Sequence, residues 1–301
     1  MSNVSTVPSR AGVALASVIL YGGLRVYWQL GHMPERLSPV GPDLLVFDGW
    51  AAVGLCGAAV AVLGAMVALP RAGRGRWALA GLAWVVGGAL VVAGALLLLD
   101  VVGFIVPGMG IPVYPLGAVS KAACVGSGVL VWWTARAYRP ARPKALAHTP
   151  RWAFAGAYVA VGGCLARILA QAAVGFGGGD WLFEAGFLLA GTVLPLALVH
   201  RWGRVWPRWV PVLAGRAVPR RLVLWPGAAV AGGLIAYFGV GLGQMVAERL
   251  SGQVPFAQSG LPEGFYWVAV PGYVLWGAGM TVAALAYAWR TRPPAGFAVY
   301  R

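Results

Sequence analysis

The chain has 301 residues, 60% of them hydrophobic and only 10% charged, with a mean hydropathy of +0.76. A soluble domain carries about a quarter charged residues, so a soluble fold is excluded, and the short alternating segments of a membrane β-barrel are missing too. The formal net charge of +15 would suggest nucleic acid in a soluble protein; here the basic stretches are short and interrupted and carry topology information instead.

Apolar runs of about 20 residues read as membrane spans. Eight occur, near 11–31, 44–69, 77–99, 114–138, 152–175, 181–200, 222–246 and 265–289, and they predict an all-α, polytopic membrane helix bundle. The first follows Arg10 and is interrupted by Arg25, without a convincing cleavage site, so it reads as an uncleaved helix. It ends in "LRVYWQLG", whose Arg25 and Gln29 lie four apart and share a helix face. The second begins at "LVFDGW" with Asp48, the third carries Gly87-Gly88 and closes on Asp100, and the fourth holds Lys121 in "GAVSKAAC" and then Gly126-x-Gly128. A Pro-rich, basic stretch follows, 135–152, within which 141–151 reads as a linker.

The same features then recur in order. The fifth span has "LARILAQAAVG" with Arg167 and Gln171, and the sixth starts at "WLFEAG" with Glu184. The seventh has Gly232-Gly233, and the eighth Gly277-x-Gly279. The expectation is a tandem duplication: one four-helix repeat over 1–140, the linker, and a second repeat over 152–301. Four spans per repeat is an even number, so the two repeats would be parallel.

The N-terminus, the second, fourth and sixth loops and the C-terminus hold 18 of the 23 Lys and Arg, which predicts that both termini are cytoplasmic. All eight acids fall in the outer loops or at the outer ends of spans. The loop "HRWGRVWPRWVPVLAGRAVPRR", 200–221, interleaves Trp202, Trp206 and Trp209 with arginines; it reads as a membrane-surface segment that attracts anionic lipid, with Pro207 and Pro211 limiting any helix.

A lone Arg near the middle of a span costs about 2.5–3.5 kcal/mol, and a carboxylate from the next helix offsets this. Arg25 is therefore expected to pair with Asp48, and Arg167 with Glu184. Either these pairs are interhelical staples, or they line an outward polar pocket. Its tentative ligand-binding residues are Arg25, Gln29, Asp48, Lys121, Arg167, Gln171, Glu184, Gln244 and Glu248, with the loops 106–117 and 251–264 as caps.

Other chemistry finds no footing. His32, His148 and His200 sit at loop boundaries, which argues against a transmembrane haem. No zinc spacing, Walker loop or nucleophile elbow occurs, so no metal or cofactor is expected. Cys56, Cys124 and Cys164 lie in different spans and read as packed thiols. Ser120 and Lys121 are adjacent and so face different ways, which discounts a Ser–Lys dyad. The small residues Gly239, Gly241 and Gly243 suggest close helix packing.

With its Ala/Gly/Val-rich spans, Arg-rich loops and Tyr27–Gly31 "YWQLG" element, the chain resembles a four-helix membrane protein family of actinobacteria whose function is not established. The resemblance implies a bacterial inner-membrane location and the four-helix unit. The expected function is a non-enzymatic scaffold, or a binder of a lipid or small molecule at the outer face. Alternatives are a transporter at the repeat interface or a membrane enzyme acting on a lipophilic substrate.

Overall fold

The computed structural model describes residues 6–38, 43–68, 75–105, 112–137, 146, 148–175, 181–256 and 260–291. Asp180, residues 141–145 of the expected linker and residues 106–111 of one expected cap lie outside them. Among the described residues the regular structure is helical, apart from one isolated bridge between Val205 and Ala217.

The described residues form nine α-helices: α1 Thr6–Tyr27, α2 Gly49–Ala68, α3 Gly75–Ala93, α4 Leu97–Ile105, α5 Pro115–Ala137, α6 Arg151–Val174, α7 Trp181–Val199, α8 Arg220–Leu250 and α9 Glu263–Arg290. The third predicted span is α3 and α4 joined by a 3₁₀ turn, Gly94–Leu96, and α1 continues as a wide turn over Trp28–His32. Seven helical stretches, with α3 and α4 counted as one, are long and apolar enough to cross a membrane. The described apolar stretch of α7, Glu184–Val199, falls short of that length, so the eight expected spans are met at seven.

The chain divides into two compact units, Met1–Arg142 and Pro143–Arg301. In the first, α1 packs on α2 and α5, and α3 packs on α2 and α5, closing a ring. In the second, α6 packs on α7 and α9 and α8 packs on α7 and α9, and α7 also crosses to α9. Each unit has its own core: Val18, Leu63, Met66, Leu90 and Val131 in one; Leu198, Leu234, Trp276, Met280 and Tyr287 in the other. Outward residues such as Leu20, Val85, Phe104 and Leu169 are exposed and apolar, as lipid-facing positions should be.

Close crossings occur where glycines meet. A Cβ on Gly279 would lie 2.3 Å from the Gly156 carbonyl oxygen, and one on Gly163 would lie 2.4 Å from that of Gly272, so α6 and α9 touch backbone to backbone. The sequence pointed to Gly239, Gly241 and Gly243 for this role. They face open space instead.

Candidate functional site

Arg25 on α1 is fully buried and pairs with Asp43, not with the expected Asp48. Asp48 is exposed just before α2. The cause lies on either side of residues 39–42, where Leu37 and Leu44 turn into the first unit. The Leu37 carbonyl oxygen lies where a Cβ on Gly117 would stand, at 1.7 Å, so only glycine at the start of α5 admits it. Leu37 and Leu44 are buried, and the Leu45 N–H donates to the Ala93 carbonyl at 2.9 Å, just ahead of the 3₁₀ turn in the third span. The dip delivers Asp43, 3% exposed, to Arg25.

The turn that brings the chain back out is strained. The Phe47 N–H donates to the Leu45 carbonyl at 2.8 Å across Val46, whose φ is 69°. That is the rare γ-turn of positive φ, on a β-branched residue that resists it. Such outliers cost about 1–3 kcal/mol and collect at functional sites.

Around Arg25 and Asp43 the charges are doubled. Ser120 Oγ donates to Asp43 Oδ2 at 3.3 Å, and the adjacent Lys121 pairs with Asp100 of α4 at 2.7 Å, both side chains being buried. Arg25 also stands over the Trp28 ring at 5.3 Å. Two cations and two carboxylates thus sit together out of water with zero net charge. Burial pushes the Asp43 carboxyl above its usual range, and the Arg25 guanidinium pulls it back. Asp43 Oδ1, Asp100 Oδ1 and Arg25 Nε and Nη2 are buried and have no hydrogen-bond partner among the described residues. Each such atom costs about 1–3 kcal/mol.

The second unit carries the expected Arg167–Glu184 pair. Arg167 Nε also donates to Tyr273 Oη at 2.6 Å, and the guanidinium lies 5.3 Å from the Phe187 ring and 5.6 Å from that of Tyr273. Here no Arg167 nitrogen is left buried and unpartnered.

The remaining predicted residues do not join either cluster. Gln171 Nε2 donates to the Gly175 carbonyl at 3.0 Å and caps its own helix, and Gln244 Nε2 donates to Glu248 Oε1 at 2.7 Å on an exposed face of α8. Gln29 stands beside Gly49 at the start of α2. Asp43, Asp100 and Ser120, and Tyr273 in the second unit, are the residues that sequence reasoning left out of the site. His32 is exposed and stacks on Tyr27, Cys56, Cys124 and Cys164 are free and buried, and among the described residues no three of His, Cys, Asp and Glu gather as metal ligands.

Among the described residues seven membrane-length helices around two apolar cores, with Arg25, Lys121 and Arg167 each paired to an acid, are the build of a multi-pass integral membrane protein. Comparison with known proteins adds no relative: no protein-family model, curated protein or solved structure matches the chain.

Proposed function

We propose that the chain is a bacterial plasma-membrane protein of two parallel four-helix repeats, with both termini cytoplasmic, that binds a small polar molecule or lipid headgroup at the outer end of its first repeat and performs no chemistry on it. Four helix-neighbour pairs shared by the two units, α1/α2, α1/α5, α2/α3 and α3/α5 with α6/α7, α6/α9, α7/α8 and α8/α9, support the duplication. So does the contact of first with second helix: Gly22 faces Cys56 in one unit, and Cys164 faces Gly191 in the other, the same crossing with large and small partners exchanged. On this reading α7 is the eighth span, since its 19 residues reach about 28 Å, close to the hydrocarbon thickness of about 30 Å.

One observation carries the binding role: four charged side chains are enclosed together in the first unit, and donors and acceptors among them have no partner among the described residues. A staple has no use for such atoms, and Arg167 with Glu184 manages without them. Free N–H groups on Arg25 beside free oxygens on Asp43 and Asp100 suit a molecule with both an acceptor and a donor end, such as a zwitterion. The test is thermal unfolding of the purified protein against amino acids, betaines, polyamines, glycerol phosphate and phosphoethanolamine. A ligand should stabilise the wild type and leave the charge-neutral double variant Arg25→Gln/Asp43→Asn unmoved. If none separates the two proteins, the binding role fails and the cluster is a staple.

A transporter is the second reading, favoured by the break at Gly94–Leu96 beside the buried pair, since interrupted helices line transporter sites. Uptake of the bound molecule into proteoliposomes would distinguish it.

A further inference from the structure

At the end of the second unit opposite Glu184 and Glu263, three arginines converge on the last turns of α9. Arg290 Nη1 donates to the Val199 carbonyl at 3.3 Å, and Arg220 donates to Thr291 Oγ1 at 3.0 Å and to the Ala288 carbonyl at 3.1 Å. Arg204 comes from the segment between α7 and α8. The Tyr287 hydroxyl donates to the carbonyl of Gly203, the residue next to Arg204, at 3.1 Å, which ties this segment to the end of α9.

Among the described residues no carboxylate pairs with them. The sequence has no acid between residues 185 and 247 or after 263. Glu263 begins the 28-residue α9 and is therefore about 40 Å from its far end. The carbonyls ending α7 and α9 are partners of a kind, but two helix ends supply about one unit of negative charge together against three full cations. Arg290 Nε and Nη2 and Arg204 Nε remain buried without a hydrogen-bond partner.

The surroundings are ordered. The Trp206 N–H donates to the Arg216 carbonyl at 2.9 Å and the Val218 N–H to that of Arg204 at 2.8 Å, flanking the Val205–Ala217 bridge. The tip of this antiparallel loop presents Trp209 and Val212, 81% and 80% exposed, next to the exposed Arg208. An aromatic and aliphatic tip with a flanking arginine suits the headgroup layer.

We propose that Arg204, Arg220 and Arg290 form a binding site for a phosphate group, presented by an anionic lipid or free in solution. The guanidinium fork matches phosphate oxygens through parallel hydrogen bonds, and one dianionic phosphate balances what the helix ends do not. The site stands independently of the outer site proposed above.

The experiment is thermal unfolding of the full-length protein with two probes. One is inorganic phosphate against chloride at equal ionic strength, in detergent. The other is nanodiscs of phosphatidylcholine with and without phosphatidic acid. Arg204→Gln is the main variant, because that side chain caps no helix, and Arg208→Gln at the tip controls for diffuse surface charge. Phosphate should stabilise the wild type and Arg208→Gln, with Arg204→Gln weakening the affinity about tenfold and leaving the unliganded midpoint in place. A response to phosphatidic acid without one to free phosphate, lost in Arg204→Gln, identifies the lipid as the source. No stabilisation by either probe overturns the proposal, and so does an Arg208→Gln loss equal to that of Arg204→Gln.

Discussion

In the first unit Arg25 is enclosed with Asp43 beside a second buried pair, Lys121 and Asp100, and both helices nearest the cluster are interrupted, at Trp28–His32 and at Gly94–Leu96. In the second unit Arg167 meets Glu184, whose side chain is 18% exposed, while α6 and α8 run unbroken over 24 and 31 residues. Arg167 is served by a carboxylate, a hydroxyl and two aromatic faces. Arg25 has a carboxylate and one aromatic face, and two of its nitrogens go without a partner. One cation and one anion are therefore enough to hold such a bundle together, even with Pro195, Pro226 and Pro271 inside its helices. The first unit's extra charges, broken helices and strained turn go beyond that need, and they are where binding was placed.

The largest effect that would sharpen this contrast comes from the wholly enclosed pair. Lys121→Met strands Asp100 out of water and should lower unfolding stability by about 4 kcal/mol, whereas Lys121→Met/Asp100→Leu should recover most of the loss. Unfolding midpoints of the purified variants decide it, and a double no better than the single would break the pairing argument. Arg167→Met in the second unit should cost less, about 2 kcal/mol, because Glu184 can turn toward water. Equal losses in the two units would erase the comparison. Tyr273→Phe removes one bond to a charged group and should cost about 1.5 kcal/mol in the same assay. Smallest, Val46→Gly relieves a positive φ and should stabilise the protein by about 1 kcal/mol net of glycine's entropy. A destabilised Val46→Gly would show that the turn is not strained.

The helices and the Arg167–Glu184 pair were legible in the sequence because apolar length and an acid at the next helix start are local signals. Arg25 was harder. Asp43 and Asp48 flank one turn, and which of them points inward depends on Leu37 and Leu44 being pulled under α5, a tertiary event with no periodicity of its own. Asp100 ends the third span and Lys121 lies near the start of the fourth; the sequence marked both as polar residues of the first half without pairing them, and the structure joins them. Tyr273 lies 106 residues from Arg167 in an apolar helix, where a tyrosine carries no sign of its partner. Gln171 drew notice because it lies four residues after Arg167, and Gln244 because it lies near the outer end of its span; in the structure each is instead bonded at i+4, to Gly175 and to Glu248. The glycines of α8 misled for a different reason: spacing permits close approach, and only a facing small residue makes it happen.

Each cation enclosed within a span has its anion close by in the chain. Arg25 and Asp43 are 18 residues apart, Arg167 and Glu184 are 17 apart, and Asp100 and Lys121 belong to consecutive segments. During insertion, every helical hairpin can therefore become electrically neutral before its neighbours arrive, and no newly made segment has to wait in lipid for a distant counterion.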